Sequence, residues 1–320
     1  VSEATGIINN HYKVRNGNEF AYVIKTDVKE VDFQKAQMQI LKSVTMTEDS
    51  KDIIIKIRTQ QPFAVQFNTN KNELTVTSDD AIFNFKKKNH YTPLIKEFNF
   101  TDNKFSVILS SDEFNGYDYI YDKNELQIRI RKPFSKGLRR KVIVIDPGHG
   151  GKECGSIGPT GVPEKDINLK IALYLKPLLE EKGAIVFMTR EDDNFVGLYE
   201  RVDFAREKKA DILLSIHNNA LPDGQNPYIT HGTTTYYYQP QAKNFADIMQ
   251  NALLKRTEFN NLGTKNGSFV LTRPSMPISL LVEVGFMINP FEYEKLIDEN
   301  FQKKCALGLK EGLENYFTKK

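Results

Sequence analysis

The chain has 320 residues, long enough for two domains. It is 40% hydrophobic, as a soluble globular protein is, and it has no run of about 18 apolar residues, so no transmembrane helix is expected. The 44 basic and 41 acidic residues leave a charge of +3; that excess sits in one short segment, which leaves no broad basic face for nucleic acid. The chain opens at Val1 without a basic-apolar-small leader, and reads as a mature or trimmed chain.

Residues 1–130 read as β-rich. Asp52–Ile57, Glu73–Val76, Lys104–Leu109 and Glu125–Ile130 alternate polar and apolar residues as half-buried strands do. The two halves repeat at an offset of 52 residues: Lys71-Asn72-Glu73-Leu74 matches Lys123-Asn124-Glu125-Leu126, and Ile53, Ile55, Ile57 and Phe67 fall on Phe105, Val107, Leu109 and Tyr119. Each half reads as strand, turn, strand, tight turn, strand, and the two units are expected to pack face to face as a small sandwich.

Residues 131–141 carry six basic residues and no acidic one, between a part with 17 basic and 18 acidic residues and a part with 21 and 23. With Pro133 and Gly137, residues 131–140 read as a linker, in the first instance a solvated hinge and in the second an attraction to anionic wall polymers or lipid headgroups.

From 141 to 320, strand and helix alternate. Val142–Asp146 is an apolar strand, followed by a helix from Glu164 to Glu181 that Gly183 ends and Pro177 should kink. Ala184–Thr189 is a strand, Leu198–Lys208 a helix and Asp211–Ile216 a buried strand. Leu221–Gly232 is a short loop rich in Pro, Gly and Asn. Thr233–Tyr238, Ser268–Thr272 and Ile278–Val284 complete about six strands, and Gln241–Arg256 and Asn300–Phe317 are amphipathic helices. The expected fold is a three-layer α/β domain with a mostly parallel six-stranded sheet, preceded by a smaller all-β, sandwich-like domain.

The apolar strands deliver polar residues. The first ends in Asp146-Pro147-Gly148-His149-Gly150-Gly151; the third delivers His217; Ile278–Val282 delivers Glu283; and Glu164 opens the first helix. Open α/β sheets place their sites at such strand ends. Two imidazoles and one carboxylate are a standard ligand set for catalytic zinc, which keeps a position for water. One carboxylate leaves the site net positive, so the water can be acidified to a pKa of about 7. We expect His149, Glu164 and His217 as ligands of one zinc ion. Glu283, flanked by Val282 and Val284, is then the non-ligating carboxylate that takes the water proton and passes it to the leaving amine. Taken singly, each has a structural alternative: a hydrogen-bonded histidine after a strand, a helix-capping Glu164, a Glu283 in a buried ion pair.

These motifs resemble the zinc-dependent N-acetylmuramoyl-L-alanine amidases of the type-3 class over about Lys141 to Phe317. The landmarks are Asp146–Gly151, Glu164-Lys165-Asp166-Ile167-Asn168-Leu169, Thr189-Arg190, Ser215-Ile216-His217-Asn218-Asn219-Ala220 and Leu281–Phe286, in the family's order and spacing. The resemblance implies zinc ligands at His149, Glu164 and His217, a catalytic glutamate at Glu283, and hydrolysis of the amide between the lactyl group of N-acetylmuramic acid and the first L-alanine of the stem peptide. Peptidoglycan as substrate implies an extracytoplasmic location. Residues 1–130 resemble the β-sandwich targeting domains that precede such amidases, which implies a wall polymer or an envelope activator as their partner. Two residues depart from the family: Glu153 stands for Asp and Asn218 for Ala, neither expected to touch a ligand. Some relatives carry a self-blocking helix where Leu221–Gly232 lies, and the shortness of this loop implies an open site. A zinc peptidase acting within the stem peptide and an inactive wall-binding protein are the alternative readings.

The remaining candidates are weaker. Cys154 as a fourth ligand would close the site; Cys154 and Cys305 are expected to be unpaired, with a disulfide left open. His231 is the rival ligand, while His11 and His90 are expected to be surface or structural residues. Arg190 and Arg273 lie just past strands, placed either to pair with stem-peptide carboxylates or in structural ion pairs.

Overall fold

The structure, a computed structural model, describes residues 4–8, 11–16, 19–24, 39–85, 92–111, 114–222 and 224–318. The chain divides into two compact units, residues 1–114 with 118–132, and residues 115–117 with 133–320.

The first unit is all β. Strands β1 (Ala4–Ile8), β2 (His11–Asn16) and β3 (Glu19–Ile24) form an antiparallel sheet of three. The next ten are β4 (Gln39–Leu41), β5 (Val44–Glu48), β6 (Asp52–Arg58), β7 (Gln66–Asn70), β8 (Glu73–Thr77), β9 (Ala81–Phe83), β10 (Ile95–Thr101), β11 (Lys104–Leu109), β12 (Tyr117–Asp122) and β13 (Glu125–Arg131). They form two four-stranded sheets, ordered β10-β11-β8-β7 and β12-β13-β6-β5, with a parallel β4-β9 ribbon. Every second residue of β6, β8, β11 and β13 is buried (Ile53, Ile55, Ile57, Leu74, Val76, Phe105, Val107, Leu109, Leu126, Ile128, Ile130), so each sheet has one inward face. Full burial of each such side chain stabilises by about 1.5–3 kcal/mol.

The 52-residue offset carries β6, β7 and β8 onto β11, β12 and β13, and also β5 onto β10. Lys71 and Lys123 occupy the same left-handed conformation, φ 52° and 51°, in matching tight turns. The expected packing of one repeat against the other is corrected, because each sheet mixes the two. The β10-β11 hairpin of the second repeat pairs with the β7-β8 hairpin of the first, and β5-β6 pairs with β12-β13. Residues 59–65, with Pro62, are not paired as a hairpin, and so carry the chain from one sheet to the other. Phe67 and Tyr119, equivalent positions, stack at 4.6 Å.

Segment 131–141 is anchored at several residues, while Ser135, Lys136, Arg139 and Arg140 stay exposed. Arg131 ends β13 and pairs with buried Asp52 at 2.7 Å. Phe134 and Leu138 enter the core of the second unit, and Lys141 Nζ donates to Ser135 Oγ at 2.7 Å. Two apolar side chains among the six cations explain why this stretch settles.

The second unit holds β14 (Val142–Pro147), α1 (Glu164–Glu180), β15 (Ile185–Met188), α2 (Leu198–Glu207), β16 (Ile212–Asn219), β17 (Thr233–Tyr237), α3 (Lys243–Thr257), β18 (Asn261–Asn266), β19 (Ile278–Phe286), α4 (Pro290–Leu296) and α5 (Glu299–Thr318). Its sheet runs β15-β14-β16-β19-β17-β18, all neighbours parallel except β17 against β19. Helices α1, α3 and α5 pack on one face, and α2 with Leu271 on the other. Pro177 lies in the last turn of α1. One expected strand is corrected: Ser268–Thr272 is a turn, closed by Thr272 N donating to Phe269 O at 3.1 Å, and the sixth strand is β18. Polar Asn261–Asn266 lacks an apolar period because it is an exposed edge. Helix α4 was also missed, although Asn289 caps it and Pro290 fills its first position. The described residues of Leu221–Gly232 form only turns and bends. No helix among the described residues is long and apolar enough to cross a membrane.

Candidate metal centre

The centre forms where β14, β16 and β19 end. The parallel register sets His217 beside Glu283. Beyond β14 the chain turns sharply, with His149 held left-handed at φ 60°. A non-glycine residue in that region is strained and needs surrounding structure to hold it. Two buried arginines supply it. Arg201 of α2 donates to Asp146 Oδ1 at 2.7 Å, to the Pro147 carbonyl at 2.9 Å and to the His149 carbonyl at 2.8 Å. Arg190 donates to the carbonyls of Pro147, Gly148 and Lys165 at 3.0, 2.9 and 2.8 Å. The partners of Arg190 in the structure are backbone carbonyls, where an ion pair was the structural expectation. Exposed Arg273 donates to Ser268 instead.

Asp146 is fully buried. Burial would raise its pKa, but the Arg201 guanidinium, with hydrogen bonds from Ser215 and Thr189, holds the carboxyl below the usual range.

Two glycines leave room for the donors. A Cβ on Gly148 would lie 2.2 Å from His217 Cε1, and one on Gly155, whose φ is +67°, would lie 2.5 Å from Glu164 Oε2.

Glu164, the first residue of α1, reaches back between the two imidazoles. Its Oε2 lies 3.2 Å from His149 Nε2 and accepts from Ser156 N at 3.0 Å; its Oε1 lies 3.0 Å from His217 Nδ1 and accepts from Asn168 Nδ2 and Asn218 N, each at 3.1 Å. Burial works against its charge, but the two histidines outweigh it and the carboxyl is held far below the usual range. Among the described residues, His149, Glu164 and His217 each aim a donor atom so that all lie within 4.8 Å of one another. Two imidazole nitrogens around one buried carboxylate are a donor set that fits a divalent cation such as zinc.

Glu283 lines the same cleft, about 370 Å³, with His149, Ser156, Glu164, His217 and Asn218–Ala220. Its Oε2 is shielded and has no hydrogen-bond partner among the described residues. Burial pushes its pKa up to about 7, with His217 opposing and Glu164 adding to the rise.

The weaker candidates separate. Cys154 and Cys305 are both free thiols; Cys305 lies in the α5 core and Cys154 is outside the donor group. His231 pairs with buried Glu292 at 2.8 Å and meets Asn260 at 3.1 Å, away from the centre. His11 falls in β2, and His90 lies outside the described residues. The expectation that Asn218 touches no ligand is corrected: its backbone N–H bonds Glu164, and its side chain donates to Asn168 Oδ1 at 2.8 Å. Asp146, Asn168 and Arg201 were missed as site residues. The available signals were an acid closing an apolar run, and an arginine on the helix stripe that buries Val202 and Ala205.

Comparison with known proteins bears on this site. The family described as N-acetylmuramoyl-L-alanine amidase matches residues 143–315. The probable cell wall amidase LytH of Staphylococcus saprophyticus is 32% identical over 215 residues, 66% of this chain and 70% of that protein. The germination-specific N-acetylmuramoyl-L-alanine amidase of Bacillus subtilis is 33% identical over 207 residues, 59% of this chain and 85% of that one. Among solved structures, the catalytic domain of CwlV, an amidase of the same description from Bacillus (Paenibacillus) polymyxa var. colistinus, superposes with a TM-score of 0.52 at 37% identity, over 55% of this chain and 97% of that one.

Proposed function

The chain belongs to the N-acetylmuramoyl-L-alanine amidase family, and from that membership we propose that it hydrolyses peptidoglycan at the amide between the lactyl group of N-acetylmuramic acid and the L-alanine of the stem peptide. His149, Glu164 and His217 hold one zinc ion in this reading, and Glu283 carries the proton. The observation that supports it most is the pairing, in one cleft, of a three-donor cluster with a carboxylate that is shielded and has no hydrogen-bond partner.

When bound, zinc supplies Lewis acidity, polarising the scissile carbonyl and making water a better acid. The chain's own residues do the rest. The backbone amides of Ser156 and Asn218, with the Asn168 side chain, fix the Glu164 carboxylate so that both oxygens are committed. The Arg190 and Arg201 clamp holds the turn that carries His149. Glu283 accepts a proton from the attacking water as its oxygen bonds the carbonyl carbon. It then delivers that proton to the alanine nitrogen as the C–N bond breaks, leaving a carboxylate on the lactyl group and a free L-alanine amine.

Residues 141–320 are the catalytic domain in this proposal, acting outside the cytoplasmic membrane where the substrate lies. Residues 1–130 anchor it to wall polymer or to an envelope activator; a chain trimmed to Pro133–Lys320 should then sediment less with intact sacculi than the full chain.

The deciding experiment is digestion of purified peptidoglycan by the zinc-loaded chain, with no partner added, beside Glu283→Ala and a chelated sample. New L-alanine amino termini that are absent from both controls are the expected result. Cleavage inside the stem would replace the reading with a peptidase, and wall binding without cleavage would replace it with a binding protein or with an enzyme needing an activator.

A further inference from the structure

Two shielded polar atoms in the catalytic unit lack a hydrogen-bond partner among the described residues and stand on opposed strand positions. One is Oε2 of Glu283 in β19; the other is Oγ1 of Thr234 in β17. Thr234 is fully buried, and the antiparallel register sets it directly opposite Glu283. Opposed side chains project from the same sheet face with Cβ atoms about 4.5–5.5 Å apart. The hydroxyl and the carboxylate are therefore neighbours that make no direct bond, within reach of one another across one water.

The flanking threonines do not share this situation. Thr233 Oγ1 donates to the Val284 carbonyl at 2.7 Å, and Thr235 Oγ1 donates to Gln250 Oε1 at 2.8 Å, so both are committed to the fold. The next residue on the Thr234 face, Tyr236, meets Phe269 edge-on and is only partly buried, within electrostatic range of Glu283. The Thr234 hydroxyl is thus the fully shielded, partnerless donor that stands directly opposite Glu283. A buried polar atom without a partner is costly, and here one bridging water relieves two such atoms.

We propose that Thr234 is a positioning residue for Glu283: its hydroxyl donates to one ordered water that in turn donates to Oε2, and so turns the other carboxylate oxygen into the cleft. This rests on the reading of Glu283 as proton carrier. The hydroxyl neither meets substrate nor holds metal, so its contribution falls on the chemical step and not on binding.

The test measures kcat and KM on a soluble muropeptide, and zinc affinity by chelator competition, for the full wild-type chain and for Thr234→Val, Thr234→Ala, Thr234→Ser and Glu283→Gln. Thr234→Val and Thr234→Ala should each lower kcat about tenfold, the loss of one water-bridged hydrogen bond to a charged group, with KM and zinc affinity unchanged. Thr234→Ser should restore kcat to within about twofold of wild type. The proposal is overturned if the Val and Ala variants keep wild-type kcat while Glu283→Gln loses it, or if Ser is as slow as Val. A wild-type chain that releases no stem peptide overturns the amidase reading itself, before any variant is compared.

Discussion

The two faces of the six-stranded sheet are both covered and chemically opposite. One carries Ile143, Ile145, Leu214, Ile216, Leu280, Val282 and Val284 under α1, α3 and α5. The other carries Val142, Val144 and Leu213 under α2, and then, toward the strand ends, Asp146, Ser215, His217, Glu283 and Thr234. Parallel sheets are covered on both faces, so their strands read as continuous apolar runs. In this chain one face uses that cover for packing alone, and the other uses it to hold polar groups away from water and from one another's alternatives. Fixing a site this way requires every buried charge to find a partner, except where the chemistry needs one that has none.

That contrast can be broken at single positions. Glu283→Gln removes the unpartnered charge and should lower kcat/KM about 10²–10⁴-fold; since the charge has no ion-pair partner to lose, the melting temperature should hold or rise, read by calorimetry. Arg201→Met should do the reverse. It strands Asp146 as an uncompensated buried charge and should cost about 3–5 kcal/mol in denaturant unfolding, with weaker zinc affinity because the His149 turn loses its clamp. Leu214→Ala, on the apolar face, should cost about 2–5 kcal/mol of stability and leave kcat per folded molecule unchanged; a lowered kcat would mean that the two faces are coupled.

The smallest effect is in pH. Asp146 has its folded pKa depressed, so its contribution to stability is present above the ordinary carboxylate pKa of about 4 and fades as pH falls through the lower folded value. The stability advantage of wild type over Asp146→Asn should therefore be full at neutral pH and shrink steadily below pH ~4, as urea titrations at several pH values would record. An advantage that grew on acidification would show that Asp146 is not held as the anion.

The sequence made the proposed donors and Glu283 legible because His149, His217 and Glu283 interrupt or follow apolar runs and Glu164 opens a helix, a combination more telling than any one of them. It did not show what holds them. Arg201 lies 55 residues from Asp146, and their pairing depends on how α2 docks. Thr234 meets Glu283 only because β17 enters antiparallel, a choice that no local pattern records. Edge strand β18 has no buried period to detect, while the turn at Ser268–Thr272 contains enough apolar residues to imitate one. The repeat in the first unit was visible in its tight turns, but which hairpin pairs with which is a tertiary fact.

That exchange of hairpins has a consequence for how the first unit comes into being. Since each four-stranded sheet needs strands from both halves, the ribosome releases the first half with no complete sheet to join; one sheet closes only when β11 has been made and the other only when β13 has. A cut between Phe85 and Thr92 would yield two incomplete peptides that should recover structure only when mixed. One repeat is therefore not a module that can be removed or transplanted alone; the two repeats form a single indivisible object.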